Sequence, residues 1–144
     1  MQKTGRFFLV AILVLSVPLV ALLLWQQGHR ALAGPVSITG ALVCRELDES
    51  GYPVEEGPVF KWGGRQLCLK FHYEVPRPGS ILDVTWHFQG RVIFRESIRI
   101  NDTSGIRAFF LLREDGSPLP VGEYAVAIES DGRERVRLPF SVVR

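Results

Sequence analysis

Two patterns of apolar residues divide the chain. Residues 7–24 form an almost continuous apolar run that only Ser16 and Pro18 interrupt. From Val36 onward, apolar and polar residues alternate with the period of two that is typical of β-strands. The pattern therefore predicts one N-terminal helix followed by a domain made of strands.

Seven segments of the second region show this alternation, and each carries an apolar set that would face a core. They are residues 36–45, 66–75, 82–88, 91–100, 106–113, 123–129 and 135–143. Turn-forming residues such as Gly63-Gly64, Gln89-Gly90 and Asp131-Gly132 separate them. About seven short antiparallel strands joined in this way are typical of an immunoglobulin-like β-sandwich, which we predict for residues 36–144.

Burial also predicts the register of the tightest hairpins. A two-residue turn at Asp131-Gly132 would set Arg135 opposite Ile128, on the core side of the strand. We therefore predict a three-residue loop with the glycine in a bulge position. The same reasoning applied to the hairpin at Gln89-Gly90 sets Trp86 opposite Val92, with the indole in the core.

The N-terminal apolar run predicts export. Lys3 and Arg6 precede it as a short positive segment, which keeps residues 1–6 in the cytoplasm and sends the rest of the chain across the membrane. As a helix, the run would span about 27 Å, close to the ~30 Å hydrocarbon core of a bilayer. Residues 7–25 therefore read as a signal anchor or a signal peptide, followed by a linker at residues 26–35.

Two fates of this segment stay open. Its length and the interfacial Trp25 favour an uncleaved single-pass anchor with the C-terminal domain outside the cytoplasm. The triplet Ala31-Leu32-Ala33 is instead an A-x-A cleavage signature, and cleavage after Ala33 would release a secreted domain. Both fates place residues 36–144 on the same side of the membrane.

The charge of the exported region argues against nucleic-acid binding. All 15 acidic residues but only 14 of the 17 basic residues follow Ala33, so residues 34–144 are close to neutral. A nucleic-acid binder needs a strongly basic surface. The whole chain has three His, two Cys and one Met, so we expect neither a metal site nor a cofactor.

Arginines form the most conspicuous charge pattern. They outnumber lysines by 14 to 3, and two predicted strands carry them at every second or fourth position. The six residues are Arg91, Arg95, Arg99, Arg133, Arg135 and Arg137, and we expect the first three to share one strand face and the last three another. They predict a surface for an anionic partner such as lipid headgroups, a polysaccharide or an acidic protein. The alternative is a solvated face whose arginines pair with neighbouring carboxylates.

No motif of a known reaction centre is present. The chain lacks G-x-S-x-G, H-E-x-x-H, P-loop and dinucleotide-binding signatures. His72 and His87 lie on the polar sides of their predicted strands, where catalysis or metal binding would require an acidic partner such as Asp83. We therefore predict a protein that is not an enzyme, with a small extracytoplasmic enzyme or carbohydrate-processing domain as the alternative.

Several short motifs resemble a family of small bacterial exported domains whose function is not established. They are Val43-Cys44, Pro53, Leu67-Cys68, Trp86, Gly90, Arg107, the run Gly122 to Val126, and Asp131-Gly132. The chain departs from the family where Val84 replaces a histidine, Ile106 an aromatic residue and Tyr124 a tryptophan. The resemblance covers most of residues 40–143 and implies an immunoglobulin-like sandwich with no reaction attached.

The two cysteines predict a disulfide. An even cysteine count in an exported chain suggests a bridge, and the resembled family has both Cys44 and Cys68 in place. The alternation, however, sets Cys44 on the apolar face and Cys68 on the polar face, which adjacent regular strands cannot bridge. A bulge at Gly40 would resolve this conflict by turning Cys44 to the other face. Two free thiols remain the alternative.

These observations favour a membrane-anchored, extracytoplasmic binding or structural module of the bacterial envelope. Its partner would be the membrane through the N-terminal helix, together with an envelope protein or polysaccharide that the sequence does not specify. Sandwich domains present loops and strand edges for recognition, which is consistent with this interpretation.

Overall fold

The computed structural model describes residues 35–144, which form nine β-strands. In chain order these are β1 (Ser37–Leu47), β2 (Pro53–Glu56), β3 (Val59–Lys61), β4 (Gln66–Glu74), β5 (Ser80–Phe88), β6 (Arg91–Ile100), β7 (Ser104–Leu112), β8 (Gly122–Ser130) and β9 (Arg133–Val143). Residues 35–144 contain no helix. The predicted all-β class is therefore confirmed for this part of the chain.

The nine strands form two sheets. The first sheet has the order β2-β1-β4-β7, and the second has the order β3-β9-β8-β5-β6. Neighbouring strands are antiparallel except for β3, which runs parallel to β9. The sequence pattern did not predict β2 and β3, because strands of four and three residues are too short to show an alternation. Both lie at the outer edge of their sheet.

The two sheets pack face to face around one core, as the predicted sandwich requires. In β4, Leu67, Leu69 and Phe71 face the core and are fully buried. From the second sheet, Trp86 of β5 is also fully buried, and its ring meets that of Phe140 in a T-shaped contact at 6.1 Å between centroids. The prediction that Trp86 faces the core is confirmed.

A bulge near the start of β1 changes which residues of that strand face the core. The register against β4 shifts between Thr39 and Leu42, and Gly40 adopts a left-handed conformation with φ of 59°. Glycine accepts this conformation without steric cost, which explains its place here. After the shift, Val43 faces the core and Cys44 faces outward. The bulge predicted at Gly40 is confirmed.

The predicted hairpin loops are wrong. Both hairpins use two-residue turns, Gln89-Gly90 and Asp131-Gly132, in which both residues have positive φ. Such turns match the twist of the strands they join. Two residue pairs beyond each turn, a β-bulge returns the apolar side chains of the second strand to the core face. The bulge residues are Ile93 and Arg135, which have no partner on the neighbouring strand.

The bulges move the register of both hairpins by two residues from the predicted one. Trp86 lies opposite Phe94 rather than Val92, and Ile128 lies opposite Val136. The bulges therefore keep the apolar side chains of both hairpins on the core face, which the length of the turn alone does not predict.

The predicted N-terminal segments fall outside the described residues. This applies to the cytoplasmic residues 1–6, the anchor or signal peptide at 7–25, and nearly all of the linker at 26–35. Within residues 35–144, no helix has both the length and the apolar character needed to cross a membrane.

Candidate functional site

Each sheet has a long strand at one edge, and these two edge strands lie on the same side of the domain. β6 is the last strand of the second sheet, and β7, which follows it in the chain, is the last strand of the first sheet. Of the ten residues of β6, eight are exposed, while Ile98 is partly buried and Ile100 is buried. Strand edges of this length have free backbone donors and acceptors, which makes them the natural place to look for a binding site.

An apolar cleft of about 540 Å³ opens between these two edges, and we call it the edge cleft. Ile93 and Phe94 of β6 form one wall, and Leu111 and Leu112 of β7 form the other. Further lining residues are Phe88, Arg113, Glu114, Asp115, Leu119, Pro120 and Tyr124. Its volume lies in the range of small-ligand and side-chain pockets.

Large apolar side chains at the mouth of the edge cleft are exposed to solvent. The exposed fraction is 46% for Ile93, 45% for Phe94 and 60% for Leu112. Val92, Phe110 and Val121 are also exposed. Single exposed apolar residues are common on protein surfaces, but a cluster of them beside a cleft is typical of an interaction site.

The loop between β7 and β8 closes one end of the edge cleft. Asp115 accepts hydrogen bonds from the backbone N–H and hydroxyl of Ser117, at 3.0 and 2.7 Å, and these bonds lower the pKa of its carboxyl group. Tyr124 donates its hydroxyl proton to the carbonyl of Pro120 at 2.7 Å, and burial raises its pKa to about 12. A local hydrogen bond therefore stabilises each end of the loop, and the Tyr124 phenol stays protonated at neutral pH.

The chemical character of the edge cleft is that of a binding site. Its lining is mostly apolar, and the acidic groups of Glu114 and Asp115 lie on the loop at its rim. An apolar preformed cleft favours burial of an apolar side chain or ligand. Nothing in its lining combines a nucleophile with a base.

The predicted arginines of β6 flank this site but do not share one face. Arg95 and Arg99 face outward from the second sheet, opposite Thr85 and Ile81. The bulge at Ile93 sets Arg91 opposite Phe88, on the other face of the strand. Arg95 donates from Nε to the Thr85 hydroxyl at 3.1 Å. Among residues 35–144, none of the three arginines of β6 has an ion-pair partner.

The second predicted group of arginines is also divided. Arg133 lies opposite Ser130, Arg135 is the bulge residue, and Arg137 faces outward opposite Ala127. Arg137 pairs with Glu134 at 2.7 Å, and hydrogen bonds from its guanidinium lower the pKa of that carboxyl group. The expectation that Arg133, Arg135 and Arg137 share a face is therefore wrong, because a bulge lies between them.

The two histidines lie far apart in the fold. His72 is exposed on the outer face of the first sheet, and His87 lies on the outer face of the second. The core separates these faces. Within residues 35–144, no group of three or more His, Cys, Asp or Glu side chains could hold a metal ion. The structure does not bring the two histidines together.

The two cysteines are partners in the ladder between β1 and β4. Cys44 lies directly opposite Cys68, on the outer face of the first sheet, and both are fully buried free thiols. Burial raises the pKa of the Cys68 thiol to about 12. Burial also raises the pKa of Cys44. The conflict over faces is resolved, but the structure holds the two cysteines as free thiols that are not at disulfide distance, so it does not support the predicted bridge.

The turn after β1 folds back over the outer face close to these thiols. Lys70, two residues along β4 from Cys68, donates from Nζ to the carbonyl of Gly51 at 2.5 Å. Its ammonium also lies 5.9 Å from the centroid of the Tyr52 ring. The turn therefore covers part of the outer face of β4.

The sequence analysis missed the edge cleft. A signal was present in the run Val92-Ile93-Phe94, three consecutive apolar residues inside a strand that otherwise alternates. A regular strand can turn only every second residue toward a core. Such a run therefore indicates that at least one of its apolar side chains faces solvent or a partner.

Comparisons with known proteins add little to this geometry. No known family and no curated protein matches the chain. Among solved structures, the chain is similar to "Pseudomonas fluorescens alkylpurine DNA glycosylase AlkC bound to DNA containing an abasic site analog", with 16% sequence identity and a TM-score of 0.45. The similarity covers 76% of this chain and 30% of that chain. A likeness of this size carries no argument about function.

Proposed function

We propose that the chain is a non-enzymatic binding module, anchored at the outer face of the cytoplasmic membrane by residues 7–25, and that it recognises an envelope partner through the edge cleft. One observation carries the binding part of this proposal. The edge cleft combines exposed apolar side chains with a ten-residue strand edge that has no neighbour among the described residues.

The physical argument rests on what an exposed edge costs a protein. Free strand edges with apolar side chains promote aggregation, so folds usually shorten, cover or charge them. The opposite edges of this domain follow that rule, because β2 and β3 have only four and three residues. The β6 edge carries charged residues but keeps its length, and it also displays the apolar side chains of Val92, Ile93 and Phe94. A partner that covers this edge accounts for the difference.

The location is supported by the sequence alone. The apolar run, the positive residues before it and the strand-rich domain after it are typical of an exported or anchored module. Cleavage after Ala33 would give a secreted form with the same binding surface. We further propose that the two-sheet fold is immunoglobulin-like and that the chain is related to the exported domains it resembles.

The alternative of a small extracytoplasmic enzyme has less support. It would require the histidines and carboxylates to converge in one pocket. His72 and His87 lie on the outer faces of different sheets, and neither lines the edge cleft. The proposal therefore includes no catalytic residue, no cofactor and no nucleic acid.

Site-specific photocrosslinking in intact cells tests this function. With benzoylphenylalanine in place of Ile93 in the full-length chain, we expect a discrete crosslinked adduct, because that side chain stands at the mouth of the edge cleft. Val59 on β3 is similarly exposed but lies on the opposite edge, so the same replacement there is the matched control. Protease added to spheroplasts should degrade the domain if it lies outside the cytoplasm.

Two results would contradict the proposal. Equal adducts at Ile93 and Val59, or none at either position, would show that the edge cleft does not face a partner. Protection of the domain from protease in intact spheroplasts would contradict the location.

We also propose that Cys44 and Cys68 become bridged in the oxidising space outside the cytoplasm. Their places as direct ladder partners on one face support this pairing. Thiol labelling of protein isolated from cells, under denaturing and non-reducing conditions, should then label no cysteine. Reduction should lower the free energy of unfolding by about 2–4 kcal/mol.

Two labelled thiols per chain in the same assay would overturn the bridge. In the reduced, folded protein we expect slow alkylation at neutral pH, because burial raises the pKa of both thiols and disfavours the reactive thiolate. Denaturation should restore rapid labelling, which serves as the internal control.

A further inference from the structure

We propose that β6 accepts an extended peptide as an added strand, and that this peptide alternates apolar with acidic side chains. The inference rests on the proposed binding function and names the chemistry of the partner at the same site. Three features of the edge carry it: the free backbone of β6, the apolar edge cleft beneath its inner face, and the unpaired arginines on its outer face.

The backbone of β6 offers the first part of the interaction. Along an edge strand, every second residue points its N–H and C=O groups away from the sheet. β6 has ten residues, and β5 occupies only one of its sides. An extended peptide of similar length can complete this ladder by strand addition, which supplies affinity without reading side chains.

The inner face of an added strand would lie over the edge cleft. Phe94 faces inward beside Trp86, and beyond it the cleft extends to Leu111 and Leu112 of β7. The inner face of β6 also carries Glu96, between Phe94 and Ile98, so the apolar space lies beside Phe94. Inward-facing side chains of the added strand next to Phe94 would enter this space. Because strand residues alternate between faces, apolar side chains are favoured at every second position of the peptide.

The outer face of the added strand would lie beside arginines. Arg95 and Arg99 face outward at alternate outward positions of β6, with Ser97 between them. Neither guanidinium has an ion-pair partner among residues 35–144, and the hydroxyl of Ser97 is already bonded to Asp83. Acidic side chains at the remaining positions of the peptide would supply the missing opposite charge.

The same charges argue against a second copy of the chain as the occupant. Two β6 edges related by a two-fold axis would pair antiparallel, with the outward residues of one strand opposite those of the other. Such a register sets Arg95 opposite Arg95 or Arg99 of the partner, or places them diagonally. Like charges that face each other across strands are destabilising. An acidic peptide avoids this repulsion.

The edge strand β7, on the other side of the edge cleft, does not favour an acidic peptide. The outward face of β7 carries Ile106, Ala108, Phe110 and Leu112, with no charged residue. Arg107 turns inward and stacks over the Tyr73 ring at 5.5 Å from its centroid. The choice of an acidic peptide therefore comes from β6, and β7 contributes apolar surface only.

The test is binding of a fluorescent, end-capped decapeptide that alternates Glu with Val to the full-length chain in detergent. We expect saturable binding, and weaker binding at higher salt because the ion pairs are exposed. Peptides that alternate Lys with Val, or that carry N-methyl groups on alternate residues, should not bind. Hydrogen exchange should show new protection of the β6 amides when the Glu-Val peptide is bound.

Charge reversal on β6 provides the decisive variant. Arg95→Glu combined with Arg99→Glu should weaken binding of the Glu-Val peptide by about tenfold and allow the Lys-Val peptide to bind. Arg133→Glu combined with Arg144→Glu makes the same change in net charge away from the edge cleft and should leave binding within about twofold. Both pairs are exposed, so all four replacements should fold.

Leu112→Glu tests the apolar part of the site separately. The side chain is exposed at the mouth of the edge cleft, and a carboxylate there should repel the acidic peptide and weaken its binding. Binding that is insensitive to the β6 charge reversal, or that leaves the β6 amides unprotected, would overturn the proposal. Concentration-dependent dimers that pair through β6 would also overturn it.

Failure of this inference differs from failure of the proposed function. If crosslinks form at Ile93 in cells while the Glu-Val peptide does not bind, the partner has another chemistry and the binding function stands. If neither crosslinks nor peptide binding are observed, both proposals fail.

Discussion

Replacement of Trp86 with alanine is expected to lower the free energy of unfolding by about 3–5 kcal/mol. The indole is fully buried between the two sheets and meets the Phe140 ring edge to face. Its Nε1 has no hydrogen-bond partner among residues 35–144, so the loss reflects packing and the cavity left behind rather than a broken hydrogen bond. Urea denaturation of the full-length chain measures the change.

Trp62→Ala is the matched control, because this tryptophan is 56% exposed. Its replacement should change the free energy of unfolding by no more than about 0.5 kcal/mol. Trp86→Phe should lie between the two, since it keeps an aromatic ring in the core. A loss below about 1 kcal/mol for Trp86→Ala would contradict the placement of this residue between the sheets.

The all-β class and the long strands could be predicted because each long strand repeats the same alternation several times. In β4, for example, Leu67, Leu69 and Phe71 all face the core, as their spacing indicates. The shortest strands could not be predicted. β2 and β3 owe their place to the edges they cover, and not to a pattern of their own.

Glycine was a reliable sign of a bulge inside a strand but not in a turn. The bulge predicted at Gly40 is present, whereas the glycines of the two hairpin turns, Gly90 and Gly132, are not bulge residues. The bulges at Ile93 and Arg135 carry no such mark. The alternation alone therefore predicted that the arginines of each strand share a face, whereas the bulges place them on different faces.

The edge cleft could not be predicted because no single segment contains it. Its walls come from β6 and β7, whose edges meet only when both sheets have formed. The loop that ends it joins β7 of the first sheet to β8 of the second, so its residues reach the cleft only when the two sheets are packed together. Local sequence showed the apolar run Val92-Ile93-Phe94, but the neighbours of that run are determined by topology.

Deletion of Arg137 is expected to destabilise the fold strongly, whereas deletion of Arg135 should leave it intact. Arg135 is the extra residue of the bulge, so its removal leaves Glu134 and Val136 in a regular two-residue hairpin. Val136 then remains opposite Ile128. The Nε of Arg135 has no hydrogen-bond partner among residues 35–144, so its loss breaks no hydrogen bond that the structure shows.

The deletion of Arg137 acts differently because this residue lies beyond the bulge. If the bulge stays, removing Arg137 shifts Phe140 and Val142 by one position and turns them from the core to the outer face of the second sheet. If the bulge is lost instead, these residues keep their register, but Arg135 is set opposite Ile128 on the core side and Val136 turns outward. Each buried apolar side chain contributes about 1.5–3 kcal/mol, so both outcomes cost a large part of the stability of a small domain. Its ion pair with Glu134 is exposed and contributes at most about 1 kcal/mol.

Both deletions remove one arginine from the same strand, so net charge and length are matched. Urea denaturation and the dispersion of amide signals in NMR spectra distinguish the outcomes. We expect a cooperative transition with a nearly native midpoint and slope for the chain without Arg135, and a midpoint at clearly lower urea for the chain without Arg137. Similar losses in both variants would show that the bulge does not set which residues of β9 face the core.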